Sequence, residues 1–93
     1  MVKYRVGDKV HIKSKEWYNN FSDCYGCISD EIVSFGFNIY MSRRCGMVGT
    51  ITNVQSAIYH GKEINEYRLD IDNGEWKWSE DMFESVKKGM EVE

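Results

Sequence analysis

Ninety-three residues, 42% hydrophobic and 14% aromatic, are enough for one hydrophobic core and too few for two, so one domain over residues 1–88 with a frayed tail at 89–93 is expected. No apolar run resembles a signal peptide or approaches the roughly 18 residues of a membrane span, and three cysteines cannot pair completely. A cytoplasmic, non-membrane protein with free thiols is therefore expected. The net charge of −3 is uneven: residues 1–15 carry five basic side chains against Asp8, and residues 16–93 carry seven against fourteen acidic ones, a balance that opposes broad nucleic-acid binding.

Val6, Gly7 and Asp8 read as a turn, and residues 9–13 then alternate strictly, Val10 and Ile12 against Lys9, His11 and Lys13, as a half-buried strand does. Between residues 14 and 45 the pattern breaks. Residues 15–21 fit one helical turn, and residues 31–40 hold a short alternation through Val33, Phe35, Phe37 and Ile39. A connection of this length far exceeds the common loop of roughly 4–6 residues, so it either contains a hairpin or performs a task. Order resumes at residues 46–54, rich in threonine and β-branched residues, with Gly49 signalling a bulge or close backbone approach. Residues 55–62 read as a polar connection and residues 66–72 as the clearest strand.

Asn73-Gly74 between alternating runs predicts a two-residue hairpin turn. Its register sets Asp72 against Glu75, Ile71 against Trp76, Asp70 against Lys77 and Leu69 against Trp78, which puts both tryptophans on the core face. Ser79-Glu80-Asp81-Met82 reads as a capped helical turn, and residues 85–87 as a short closing strand.

The run from Val6 to Ile12 and the run from Gly46 to Val54 resemble KOW-type and other SH3-like (Src-homology-3-like) barrels, in which a glycine-aspartate turn leads one strand and a glycine-punctuated strand follows. Residues 41–54 and 67–84 are also similar to small uncharacterised proteins of phages, prophages and gut bacteria. The resemblance implies an all-β fold, a small SH3-like barrel of about five strands with a long irregular insertion after the first strand and a short helical turn near the C-terminus. KOW relatives often contact RNA or the transcription and translation machinery; the acidic C-terminal part and the long aromatic-rich insertion depart from them.

The candidate chemistry is that of binding. Trp17, Tyr18, Phe21, Tyr25 and Tyr40 crowd the long connection and are the candidate contacts for another protein or peptide, since aromatic anchors carry such interfaces. Lys9, Lys13, Lys15, Arg43 and Arg44 are the candidate contacts for the alternative, nucleic acid. Cys24 and Cys27 have the spacing that grips zinc, with Cys45 and His11 or His60 as further ligands. The second close-spaced pair usual in structural sites is missing, so no metal and no cofactor is expected. Neither a nucleophile elbow nor a phosphate-cradling glycine loop is present, so the expectation is a non-enzymatic, monomeric binding module.

Overall fold

The structure, a computed structural model, describes residues 3–84. The expected closing strand at 85–87 and the tail at 89–93 lie outside the described residues. The chain is all-β: β1 (Lys9–His11), β2 (Val48–Tyr59) and β3 (Lys62–Leu69) form an antiparallel sheet in that order. A seven-residue helix, α1 (Lys15–Phe21), and 3-10 turns at Met41–Arg44, Asp70–Asp72 and Glu80–Met82 complete the regular structure. Among the described residues the sheet is an open one of three strands, where a barrel of about five was expected. Isolated bridges pair Tyr67 with Trp78 and Ile12 with Phe83. Among the described residues no helix is long and apolar enough to cross a membrane.

β1 keeps the expected alternation, with Val10 buried between exposed Lys9 and His11, and Ile12 just beyond the strand buried as well. β2 runs five residues beyond the expected strand and pairs with β3 from Ile51–Leu69 out to Tyr59–Lys62, with a bulge between Ile51 and Asn53. The stretch expected to be a polar connection is thus half of a long hairpin arm. Its turn is His60-Gly61, both at positive φ (52° and 79°), the geometry a two-residue hairpin loop requires. Gly49 is a close approach: a Cβ there would lie 3.3 Å from side-chain carbons of both Leu69 and Ile71.

The hairpin expected at Asn73-Gly74 is displaced. Both residues take the positive φ the sequence predicts (56° and 74°), but β3 stops at Leu69 and residues 70–72 coil into a 3-10 turn. The cause is the buried Asp72 carboxylate, which accepts hydrogen bonds from Gly74 N (3.1 Å), Trp76 N (3.1 Å) and Trp78 Nε1 (3.0 Å) and so gathers the chain around itself. Trp78 pairs with Tyr67 instead of Leu69. A slip of two residues preserves which face a side chain occupies, so Trp78 is fully buried as expected despite the wrong register. Trp76 is half-buried and packs at the edge of the core. The expected Asp70–Lys77 pair is also absent: Asp70 accepts from Thr50 N at 2.9 Å, and the Lys77 ammonium lies 6.0 Å from the centre of the Phe35 ring.

The core combines Val10, Ile12, Ile51, Tyr67, Leu69, Trp78, Met82 and Phe83 with five residues of the long connection, Tyr18, Ile28, Val33, Phe37 and Met41. Phe37 meets Trp78 edge-on at 5.9 Å, and Trp78 stacks on Phe83 at 6.5 Å. Burying one such ring contributes about 4–6 kcal/mol by area, as an upper bound. The long connection is therefore part of the folded body, which is what orders a segment with so little regular structure.

Candidate functional site

The connection is built from successive local locks. Ser14 caps α1, its Oγ accepting from Trp17 N at 3.1 Å, and Tyr18 on the buried side of the helix donates its hydroxyl to Gly26 O at 2.5 Å. Asp23 Oδ1 accepts from the N–H groups of Tyr25 (2.9 Å) and Cys27 (3.1 Å), curling the CxxC segment into a turn. Ile28 then bridges Phe37, and the reversal between them holds Phe35 at φ 69° and Gly36 at φ 74°. Positive φ in an aromatic residue is a strained state that the surroundings must hold. The Phe35 ring is clamped against Tyr59 on the hairpin arm, ring centres 5.0 Å apart.

These locks frame a cleft of about 460 Å³ between the connection and the segment after β3. Ile28, Phe37 and Met41 supply its buried apolar wall; Phe35, Trp76 and Lys77 are at its edge. Beside it Tyr40, 55% exposed, stacks on Trp76 with ring centres 6.1 Å apart and planes 5° from parallel, and Arg43 covers Tyr40 with its guanidinium 5.8 Å from the ring centre. Arg68 also lines the cleft, but its guanidinium is committed to the fold. It pairs with buried Glu66 at 3.0 Å and donates to Gly74 O at 3.0 Å, fixing the loop that carries Trp76.

The residues expected to bind a partner divide by exposure. Phe21, Tyr25 (82% exposed) and Tyr40 lie on the surface. Trp17 is half-buried, edge-on to Phe37 at 5.1 Å and 6.3 Å from Phe21. Tyr18 is buried, so its ring is closed to a partner and serves to anchor the loop. Among the described residues neither Tyr25 nor Tyr40 makes a side-chain hydrogen bond, which leaves both hydroxyls to solvent or to a ligand. Reading the sequence missed Trp76 as a rim residue; the signal was Asp72 just before Asn-Gly, an Asx-type acceptor able to reset the register.

Of the basic candidates, Lys13 lies 5.4 Å from the Trp17 ring centre, Lys15 5.4 Å from that of Tyr18, and Arg43 over Tyr40. The N–H of Gly46 reaches the carbonyls of Ile12 (3.2 Å) and Lys13 (3.1 Å), which brings the chain just after Arg43 and Arg44 against the foot of α1. Lys9 donates to Thr50 Oγ1 at 3.2 Å across the sheet. Cys24 is an exposed free thiol, while Cys27 and Cys45 are half-buried free thiols; burial pushes the Cys45 thiol up, with nearby Lys15 opposing. Among the described residues no group of three or more His, Cys, Asp or Glu is placed to hold a metal ion. His60, at the hairpin tip, meets Asp30 at 3.1 Å, and Asp30 also accepts from the Tyr59 hydroxyl at 2.9 Å. The hydrogen bonds from His60 and Tyr59 hold the Asp30 carboxyl below its ordinary value, and the same contact raises the Tyr59 phenol.

A second depression, of about 370 Å³, is acidic, lined by Glu63, Glu80 and Asp81. Each carboxylate already has protein partners. Glu80 accepts from Tyr67 Oη (2.6 Å) and Asn65 Nδ2 (3.1 Å), Asp81 from Ser34 N (3.1 Å) and Ser79, and Glu63 from Ser56 Oγ (2.6 Å). Burial, reinforced by Glu80, pushes the Tyr67 phenol up to about 12. Burial alone raises Glu80, but the bonds from Tyr67 and Asn65, with Lys3 nearby, outweigh it and leave the carboxyl below its ordinary value.

No family model, curated protein or solved structure matches the chain.

Proposed function

We propose that the chain is a non-enzymatic, cytoplasmic binding module of the small SH3-like type, taking a segment of another protein into the cleft beside Tyr40 and Trp76. The observation that carries this reading is the stacked pair itself. A ring that is 55% exposed lies parallel to a second, half-buried ring beside the cleft, and the stacking holds both in place while leaving part of each accessible. Such preorganised aromatic surface is what peptide-binding grooves use, because little side-chain entropy is left to lose on binding. Tyr25 and Phe21 extend the exposed aromatic surface of the same connection. The five-stranded barrel is part of the proposal. Two bridges support it: Tyr67–Trp78 links β3 to the C-terminal segment, and Ile12–Phe83 links that segment back to the end of β1.

A second reading, nucleic-acid binding, draws on Lys13, Lys15 and Arg43, each set over an aromatic ring as in surfaces that combine phosphate contacts with stacking. Selection of a displayed random-peptide library on the intact protein separates the two. The peptide reading expects ligands with aromatic or aliphatic anchors whose affinity falls about tenfold or more in Tyr40→Ala and moves less than about threefold with added salt. Failure to select any peptide, together with oligonucleotide binding that weakens steeply with salt, would replace it with the second reading.

A further inference from the structure

Among the described residues the outer edge of β2 beyond Ile51 has no partner strand. The contact with the β1 side ends at Ile51, which bonds Asp8 O and Gly7 N. From Asn53 to Tyr59 the strand's only ladder among the described residues is the one with β3. No residue from Thr52 to Tyr59 is charged and none is proline, whereas β3 carries Lys62, Glu63, Glu66 and Arg68. Natural sheets protect long free edges with charges, prolines or bulges, because the unpaired backbone is a template for another strand. Here the single bulge sits at the root of the arm, between Ile51 and Asn53, and leaves the outer run open. Ile58, on the same side of the strand as half-buried Val54, is 74% exposed.

We propose that this edge is a self-association surface, at which β2 of one copy pairs antiparallel with β2 of a second about a two-fold axis through Ser56. The register follows from the free stretch itself. The two-residue turn at His60-Gly61 makes Tyr59 and Lys62 a hydrogen-bonded pair, so Ala57 and Gln55 also bond to β3 while Ile58, Ser56 and Val54 turn their N–H and C=O outward. The free stretch runs from Thr52, just past the β1 side, to His60 at the tip, and its midpoint is Ser56. Pairing centred there uses the whole edge without overlapping β1. It also sets Val54 opposite Ile58 of the other copy, twice, as an apolar cross-strand pair. A second copy fits because an uncharged strand meets itself with no like charges opposed, and because the stretch is long enough to satisfy several outward groups on both sides at once. In place of the monomer expected from the sequence, the edge supports a dimer.

The test combines sedimentation equilibrium with amide hydrogen exchange on the intact chain over a range of concentrations. The expected result is a particle of twice the chain mass at high concentration. The amides of Val54, Ser56 and Ile58 slow about tenfold or more as the dimer fills, while those of Gln55 and Ala57, already bonded to β3, do not change. Ser56→Pro removes an outward N–H without touching the β2–β3 ladder, and Ile58→Lys sets a charge in place of the apolar partner of Val54 in both cross-strand pairs. Each is expected to return the chain to single mass with its circular dichroism retained, and if one fails to fold the other decides. A single mass at every concentration, protection of the three amides in a particle of single mass, or a dimer that survives both folded variants overturns the proposal.

Discussion

The segment from Tyr67 to Phe83 and the long connection between β1 and β2 are both rich in aromatic rings, yet they use them in opposite ways. In the first, Trp78 gives its indole N–H to Asp72 and Tyr67 its hydroxyl to Glu80, and both rings are wholly buried. In the second, Tyr18 alone of the connection's tyrosines finds such a partner, Gly26 O, and it alone is buried; Tyr25 and Tyr40 are left on the surface. An amphipathic ring goes inside where its polar handle can be satisfied and stays outside where it cannot. Stability is thus concentrated around Trp78, and the surface available for binding around Tyr40.

The sharpest way to break this division is Trp78→Ala, expected to cost about 3–5 kcal/mol in denaturant unfolding, against well under half that for Trp76→Ala at the rim. Equal losses would place both indoles in one core. Asp72→Ala leaves the Trp78 indole N–H and the Trp76 backbone N–H without their acceptor, while Gly74 N keeps Leu69 O, and is expected to cost about 2–3 kcal/mol. The same region should govern the alkaline limb. Because the Tyr67 phenol titrates near 12 rather than at its ordinary 10.0, the folded chain holds this proton more tightly than the unfolded one. That contribution is complete below pH 10 and is lost as pH rises from 10 through about 12. Comparing stability with pH for wild type and Tyr67→Phe checks this, since the variant should lose that part of the alkaline decline. Within the connection effects are smaller: Ser14→Ala removes the cap of α1 and is expected to cost about 1 kcal/mol.

How much of this was legible in the sequence depended on how local its causes are. β1 and the first half of β2 could be read from alternation and β-branched residues, and Trp78 was placed inside because its face survives a two-residue slip. The Asn-Gly signal gave the right backbone angles at the wrong structural position, because the Asp72 carboxylate outcompetes the ladder for N–H groups. His60-Gly61 was read as part of a polar connection, but the strands on either side of it were not, because Gln55, Ser56 and Lys62 carry no clear apolar alternation. The connection could not be read because what orders it is remote in sequence. Ser34 N bonds Asp81 at 3.1 Å, Ser79 Oγ bonds Ser34 O at 3.1 Å, Tyr59 reaches Asp30, and Phe37 meets Trp78. None of these contacts has a periodic trace. The cleft is a product of those contacts, so of the candidate site only Tyr40, and Arg43 over it, were singled out from the sequence.

The most direct test of the division is Tyr40→Ala measured twice, for thermal unfolding and for affinity toward a peptide selected on the wild-type protein. The predicted result is stability within about 0.5 kcal/mol of wild type and affinity reduced about tenfold or more. A large loss of stability, or unchanged affinity, would contradict it.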